Sequence, residues 1–321
     1  MTTETILLVG HGSREKSGND EILAFAQQWR ERQPSWSIEV CFIEFSEITM
    51  GEGLRRAASG ARRVVVVPLI LNAAGHVKMD IPQAIDAARL KFPQVQFVYT
   101  PQLTACDELL SVVKRRLKTA MQSLDMPDPT TTGVVLLGRG SSDRHANGEM
   151  AKMARWVMEE TDHELVDVAF TGITYPRLEK VVQRQSLLGM TQVVVLPYYL
   201  FNGTLVTRIQ RQVEHLKAQY PTIRFTSTDY FGFEREIFEV LEQRVLDVKR
   251  GVPQALMPCD GCKFREFAVE HGQGGHHHDD AVPHHHDHDH DHPHEHPHDH
   301  DHPHDHHPSH DHAHPHTGAL S

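Results

Sequence analysis

Short runs of largely apolar residues recur through the first 125 positions, at 6–9, 38–43, 63–67 and 95–99. They are too short and too continuous to be one face of a helix, and they read as buried strands. Between them lie longer stretches in which apolar residues return every three or four positions, predicting helices over 19–32, 47–59, 77–91 and 106–123. Pro34 and Pro93 stand just beyond two of those helix ends, where a residue unable to continue a helix belongs. Strands that are apolar throughout, alternating with helices, imply a parallel sheet covered on both faces, hence an α/β fold.

At 126–132 the pattern breaks into Met-Pro-Asp-Pro-Thr-Thr-Thr, which reads as a linker, and then restarts. The run Val134-Val-Leu-Leu-Gly-Arg-Gly-Ser-Ser142 copies positions 6–14, and Asn147 copies Asn19 at the same offset. Residues 166–170 copy 38–42, 193–197 copy 64–68, and Tyr220-Pro221 copies Phe92-Pro93. Agreement in both order and spacing marks an internal duplication of a whole domain. The expected division is 1–125, a linker at 126–132, and a second copy over 133–250, with the halves facing each other across a cleft.

The copies differ where chemistry is concentrated. In the first, Gly10-His11-Gly12-Ser13-Arg14 follows the first strand, Glu44 ends the second, and His76 follows the third. Gly10 and Gly12 are expected to let the backbone turn sharply around His11. The second copy has Arg139, Gly172 and Leu205 at the matching places, so it keeps the strands and glycines and loses every titratable group of the three. In a parallel sheet the carboxyl ends of the strands share one edge, where ligands bind. Two imidazoles and a carboxylate gathered there suit a divalent transition metal, and equally suit proton transfer near neutral pH. A hydrolytic zinc site fits these residue types as well, and spacing alone does not name the reaction.

Charge and composition narrow the classes. Of the net charge of −11, ten negative charges fall after residue 275, so the body is nearly neutral and does not read as a nucleic-acid surface. No apolar run approaches the 18 residues or so of a membrane span, and the N-terminus lacks the pattern of a secretory signal. Four cysteines in 321 residues are too few for a disulfide scaffold, which points to a reduced, cytoplasmic protein. Cys259-Asp-Gly-Cys262, in a segment spanning 251–275, could be a redox pair, half a zinc site or half an iron–sulfur site. Residues 276–321 hold 21 of the 27 histidines among Asp and Pro and almost nothing apolar. Such a composition cannot bury a core, and disorder is expected. Dense imidazole and carboxylate bind Co²⁺, Ni²⁺, Zn²⁺ or Cu²⁺, each site weakly, so the tail reads as a metal reservoir or delivery arm. A non-catalytic storage protein built around that tail is the rival reading of another class.

Taken together, Gly10-His11-Gly12-Ser13-Arg14, the acidic strand end at Glu44, and Pro68-Leu-Ile-Leu-Asn-Ala-Ala-Gly-His76 with Asp80-Ile-Pro82 resemble the sirohydrochlorin chelatases. These class II tetrapyrrole chelatases insert cobalt on the way to cobalamin or iron to make siroheme. The chain is similar to their long, two-domain form over about residues 5–265. The resemblance implies two tandem flavodoxin-like halves with the working site in the first. It implies His11 and His76 as metal-binding and proton-accepting residues assisted by Glu44, Co²⁺ or Fe²⁺ as metal substrate, and sirohydrochlorin as its partner. It also implies an iron–sulfur centre on Cys259 and Cys262, its remaining ligands supplied by a second chain of a homodimer. The substrate is polyanionic, so Arg14, Lys78, Arg139 and Arg208, in or beside the loops concerned, are candidate contacts for its carboxylates. Cobalt is favoured over ferrous iron, since a scavenging tail serves cobalt better.

Overall fold

The computed structural model describes residues 4–72 and 74–251. The side chain of His76, both cysteines of the 259–262 pair and the His-rich tail lie outside the described residues. The first half runs β1 (Glu4–Gly10), α1 (Lys16–Arg32), β2 (Ser37–Phe42), α2 (Met50–Ala58), β3 (Arg63–Pro68), α3 (Gly75–Lys91), β4 (Gln96–Tyr99) and α4 (Asp107–Gln122). After a single 3-10 turn at Pro129–Thr131 the second half repeats the series. It runs β5 (Thr132–Gly138), α5 (Arg144–Glu159), β6 (Val166–Phe170), α6 (Leu178–Leu187), β7 (Gln192–Pro197), α7 (Thr204–Gln219), β8 (Arg224–Ser227) and α8 (Arg235–Lys249).

Each half carries a four-stranded sheet, in the orders β2-β1-β3-β4 and β6-β5-β7-β8, with every neighbouring pair parallel. The central strands are apolar on both faces because helices cover both: residues 6–9 and 64–67 are buried, as are 134–137 and 193–196. Strand order reverses around β1 and again around β5. The loops leaving neighbouring strands therefore part there and open a crevice at the carboxyl edge.

The halves are not separate packing units. Helix α4 leaves the first half and packs on β7 and β8 of the second sheet, while α8 packs on β3 of the first. The rings of Phe25 on α1 and Phe238 on α8 stack with centroids 4.0 Å apart, and the core that contains them draws on both sheets. Around this seam Arg116 pairs with Glu234, and Glu21 of α1 accepts hydrogen bonds from the Asn202 amide at 2.8 Å and the Tyr230 hydroxyl at 2.6 Å. These contacts tie the two walls of the crevice to each other.

Two local expectations change. Helix α1 begins at Lys16, three residues before Asn19, because the Asn19 side chain braces the preceding loop: Oδ1 accepts from the Ser13 amide at 2.8 Å and Nδ2 donates to the Ser13 carbonyl. Gly10 is the last residue of β1 and makes no turn. A Cβ there would sit 3.0 Å from Ile22, so its smallness serves close packing of α1 on the strand.

Candidate metal and tetrapyrrole site

The turn after β1 is made by Gly12, with φ +94. A side chain at this position would also collide with the Glu44 carbonyl, only 1.8 Å from the place of its Cβ. That close approach is what the site needs. The loops after β1 and β2 run on as a short ladder, Ile43 N–H to Gly10 O at 3.0 Å and Glu44 N–H to His11 O at 3.1 Å. The His11 and Glu44 side chains are therefore neighbours, with Nδ1 3.3 Å from Glu44 Oε1 and 3.3 Å from the Gly12 carbonyl. Two oxygen acceptors against Nδ1 favour the tautomer protonated there, which makes Nε2 the accepting nitrogen of the ring. Both side chains are about 30% exposed, at 31% and 29%.

The second half builds the same scaffold without the chemistry. Gly140 has φ +84, and a Cβ would lie 2.4 Å from the Gly172 carbonyl. The ladder recurs as Thr171 N–H to Gly138 O and Gly172 N–H to Arg139 O, and Asn147 braces Ser141 as Asn19 braces Ser13. Arg139 stands where His11 does. Because Gly172 replaces Glu44, the carboxylate that would face it is gone, and no ion-pair partner meets Arg139 among the described residues.

Between the two loops lies a cleft of about 900 Å³. His11 and Gly12 line it from one side and Arg139, Ile173 and Tyr199 from the other, with residues 69–72 and 200–206 forming its sides. The remaining candidates divide. The backbone of His76 occupies the first turn of α3, beside Gly75 and Val77 on the cleft. Among the described residues, no three His, Cys, Asp or Glu side chains converge on a metal position. Lys78 is committed across the halves to Asp143, whose other oxygen accepts from the His145 amide at the start of α5. Arg14 is exposed and lies over the Phe45 ring, 5.1 Å from its centre. Arg208 is exposed on α7, and with Arg139 it lies near enough to act on Tyr199. Burial pushes the Tyr199 hydroxyl up to about 12, against the Thr171 hydroxyl 2.9 Å away and these two positive charges.

Tyr199 and Ile173 are the wall residues that strand periodicity did not single out. Tyr199 left a trace, since the repeat sets it against the apolar Ile70. Cys41 is buried beside Met50, with its thiol pushed far up by desolvation, and Cys106 starts α4; neither joins the cleft. Among the described residues no helix is long and apolar enough to cross a membrane.

Comparison with known proteins gives the same outline. The CbiX family matches residues 5–120 and again 133–248. The chain is 40% identical over 271 residues to the sirohydrochlorin cobaltochelatase of Priestia megaterium, covering 84% of this chain and 87% of that one. It is 30% identical over 243 residues to the sirohydrochlorin ferrochelatase of Bacillus subtilis, covering 75% and 90%. The solved structure of SirB from Bacillus subtilis with Fe³⁺ superposes with a TM-score of 0.67 at 30% identity, covering 78% of this chain and 98% of that one. With the family matched twice along its length and a long relative at 40% identity, the chain belongs to the CbiX family of sirohydrochlorin chelatases.

Proposed function

We propose that the chain inserts Co²⁺ into sirohydrochlorin, with His11, Glu44 and His76 as the reacting group. The observation that carries the site assignment is the 3.3 Å contact of Glu44 with His11, which lines the cleft, together with the replacement of the pair by Arg139 and Gly172 in the copy opposite. Insertion of M²⁺ into a free-base macrocycle breaks two N–H bonds, and two protons must leave as the ring nitrogens take the metal. The Nε2 of His11 can hold the ion over the ring and accept a proton once the nitrogens displace it. Glu44, against Nδ1, stabilises the imidazolium that results and relays the charge outward. His76 is assigned the second imidazole. Imidazole and carboxylate bind a divalent ion firmly enough to position it and loosely enough to give it up, as thiolates would not. Arg139 and Arg208 are assigned to the peripheral carboxylates of the substrate.

Cobalt is preferred because the identity to a cobaltochelatase, 40%, exceeds that to a ferrochelatase, 30%. The histidine content of residues 276–321 suits capture of the same ion. A reducing cytoplasmic setting suits the free thiols of Cys41 and Cys106. The test is to mix the full chain, without oxygen, with sirohydrochlorin and either Co²⁺ or Fe²⁺ and to follow the macrocycle absorption against a no-protein control. Faster conversion with Co²⁺, lost in His11→Ala and in His76→Ala, is the expected result. Faster conversion with Fe²⁺ would reassign the chain to siroheme synthesis, and no acceleration by either ion would remove the enzymatic reading.

A further inference from the structure

Ile173 is the most costly residue on the cleft wall in conformational terms. Its φ is +62, in the left-handed region, where a β-branched side chain is a genuine outlier. The Thr174 amide bonds back to the Gly172 carbonyl at 2.6 Å, which makes Ile173 the centre of a three-residue turn of the rare, strained hand. The surroundings enforce it. On one side Thr171 and Gly172 are laddered to Gly138 and Arg139, and on the other the Phe170 amide bonds to the Pro176 carbonyl.

Among the described residues, burial of the side chain does not offset this cost. The side chain is 57% exposed, so it adds little to the core, and glycine would make the same turn without strain. Strain held by an over-determined loop is a mark of functional sites. The same residue lines the cleft beside Arg139, and the repeat sets it opposite Phe45, also exposed and also at positive φ, +54. Each half thus turns one large apolar side chain outward at the loop that follows its second strand.

We propose that Ile173 is a positioning residue that contacts the apolar face of the macrocycle, the strain in its turn being the cost of holding that side chain out. The proposal rests on the chelatase reading and deepens it. The substrate is a flat conjugated ring with carboxylates at its edge. On the second wall Arg139 would take the edge and Ile173 the face, so that the ring nitrogens meet His11.

Two substitutions in the full chain separate this from a structural role. Ile173→Gly removes the strain and the side chain together. It should raise Tm by about 2 °C, the scale of one relieved turn in a domain pair of this size. It should also weaken metal-free binding of sirohydrochlorin, followed by its absorption, by roughly tenfold. Ile173→Ala keeps the strain and removes the side chain, so Tm should stay within about 1 °C while binding weakens by the same roughly tenfold factor. The KM for metal should not move in either. Wild-type affinity for sirohydrochlorin in both variants would overturn the proposal, even with conversion of sirohydrochlorin intact in the parent chain. A parent chain that converts nothing with either metal would instead overturn the chelatase reading.

Discussion

After β1 the chain turns on Gly12 and presents His11 with Glu44 against it. After β5 the same turn on Gly140 presents Arg139 over Gly172. The backbone is common to both, down to the asparagine brace and the two-rung ladder, so neither loop shape nor fold accounts for the difference in residues. On the function proposed above, the difference is a division of labour. One half keeps a base with its carboxylate partner. The other gives up the carboxylate, and among the described residues no ion-pair partner neutralises the cation that replaced the base. Facing each other over one cleft, the two copies suit opposite ends of one substrate, the ring nitrogens and the carboxylated rim.

The largest effect should come from the base. His11→Ala should reduce kcat for metal insertion by roughly 10² to 10⁴-fold, the range for loss of a positioned proton acceptor. Arg139→Ala should leave the chemical step nearly intact and raise the KM for sirohydrochlorin roughly tenfold, the worth of one charge-assisted hydrogen bond. Steady-state kinetics on the two variants check this directly. If both change kcat alike, the walls are not specialised.

A smaller effect sharpens the comparison by restoring symmetry. Gly172 is not at positive φ, and a Cβ there would meet only the Arg139 carbonyl at 3.7 Å, so a side chain fits. Gly172→Glu should rebuild on the second wall the pair seen on the first and occupy Arg139. It should raise the KM for sirohydrochlorin by several-fold to roughly tenfold without altering Arg139 itself. Wild-type KM in Gly172→Glu, measured beside Arg139→Ala, would mean that Arg139 does not meet the substrate.

Much of this was legible in the chain. The apolar runs at 6–9, 64–67, 134–137 and 193–196 had to be the inner strands of covered parallel sheets, and His11 and Glu44 were legible as sharing one sheet edge because each follows a strand end. What sequence could not carry is pairing at a distance. The apolar stripe of α4 says that one face is buried but not on which sheet, and it is buried on the second. Ile173 bears no Gly or Asn signature for its turn, since that conformation is imposed by the ladder on either side of it. Lys78 lies one turn into α3 beside the cleft, where a free cation would serve a polyanion. Only the assembled halves put Asp143 against it.

That last pair gives the smallest prediction. Burial alone would raise the Asp143 carboxyl, but hydrogen bonds from Lys78 and the His145 amide outweigh it and hold the group below its ordinary 3.8. A carboxylate with a depressed folded pKa contributes stability at neutral pH. That contribution is lost as pH falls through the ordinary carboxylate value toward the folded one. With both side chains partly exposed, at 16% and 17%, it should be at most about 1 kcal/mol. Lys78→Met keeps most of the packing of the stem and removes the charge. Its stability should fall short of the parent by up to about 1 kcal/mol at pH 7, and the shortfall should shrink as pH falls below 3.8 and through the folded value, as read by denaturant unfolding at pH 7 and at about pH 2. The KM for sirohydrochlorin should stay near that of the parent, because the ammonium already has its carboxylate. A KM raised as far as in Arg139→Ala, with no change in the pH dependence of stability, would mean that Lys78 leaves Asp143 for the substrate, and that the first wall binds the rim as well as the nitrogens.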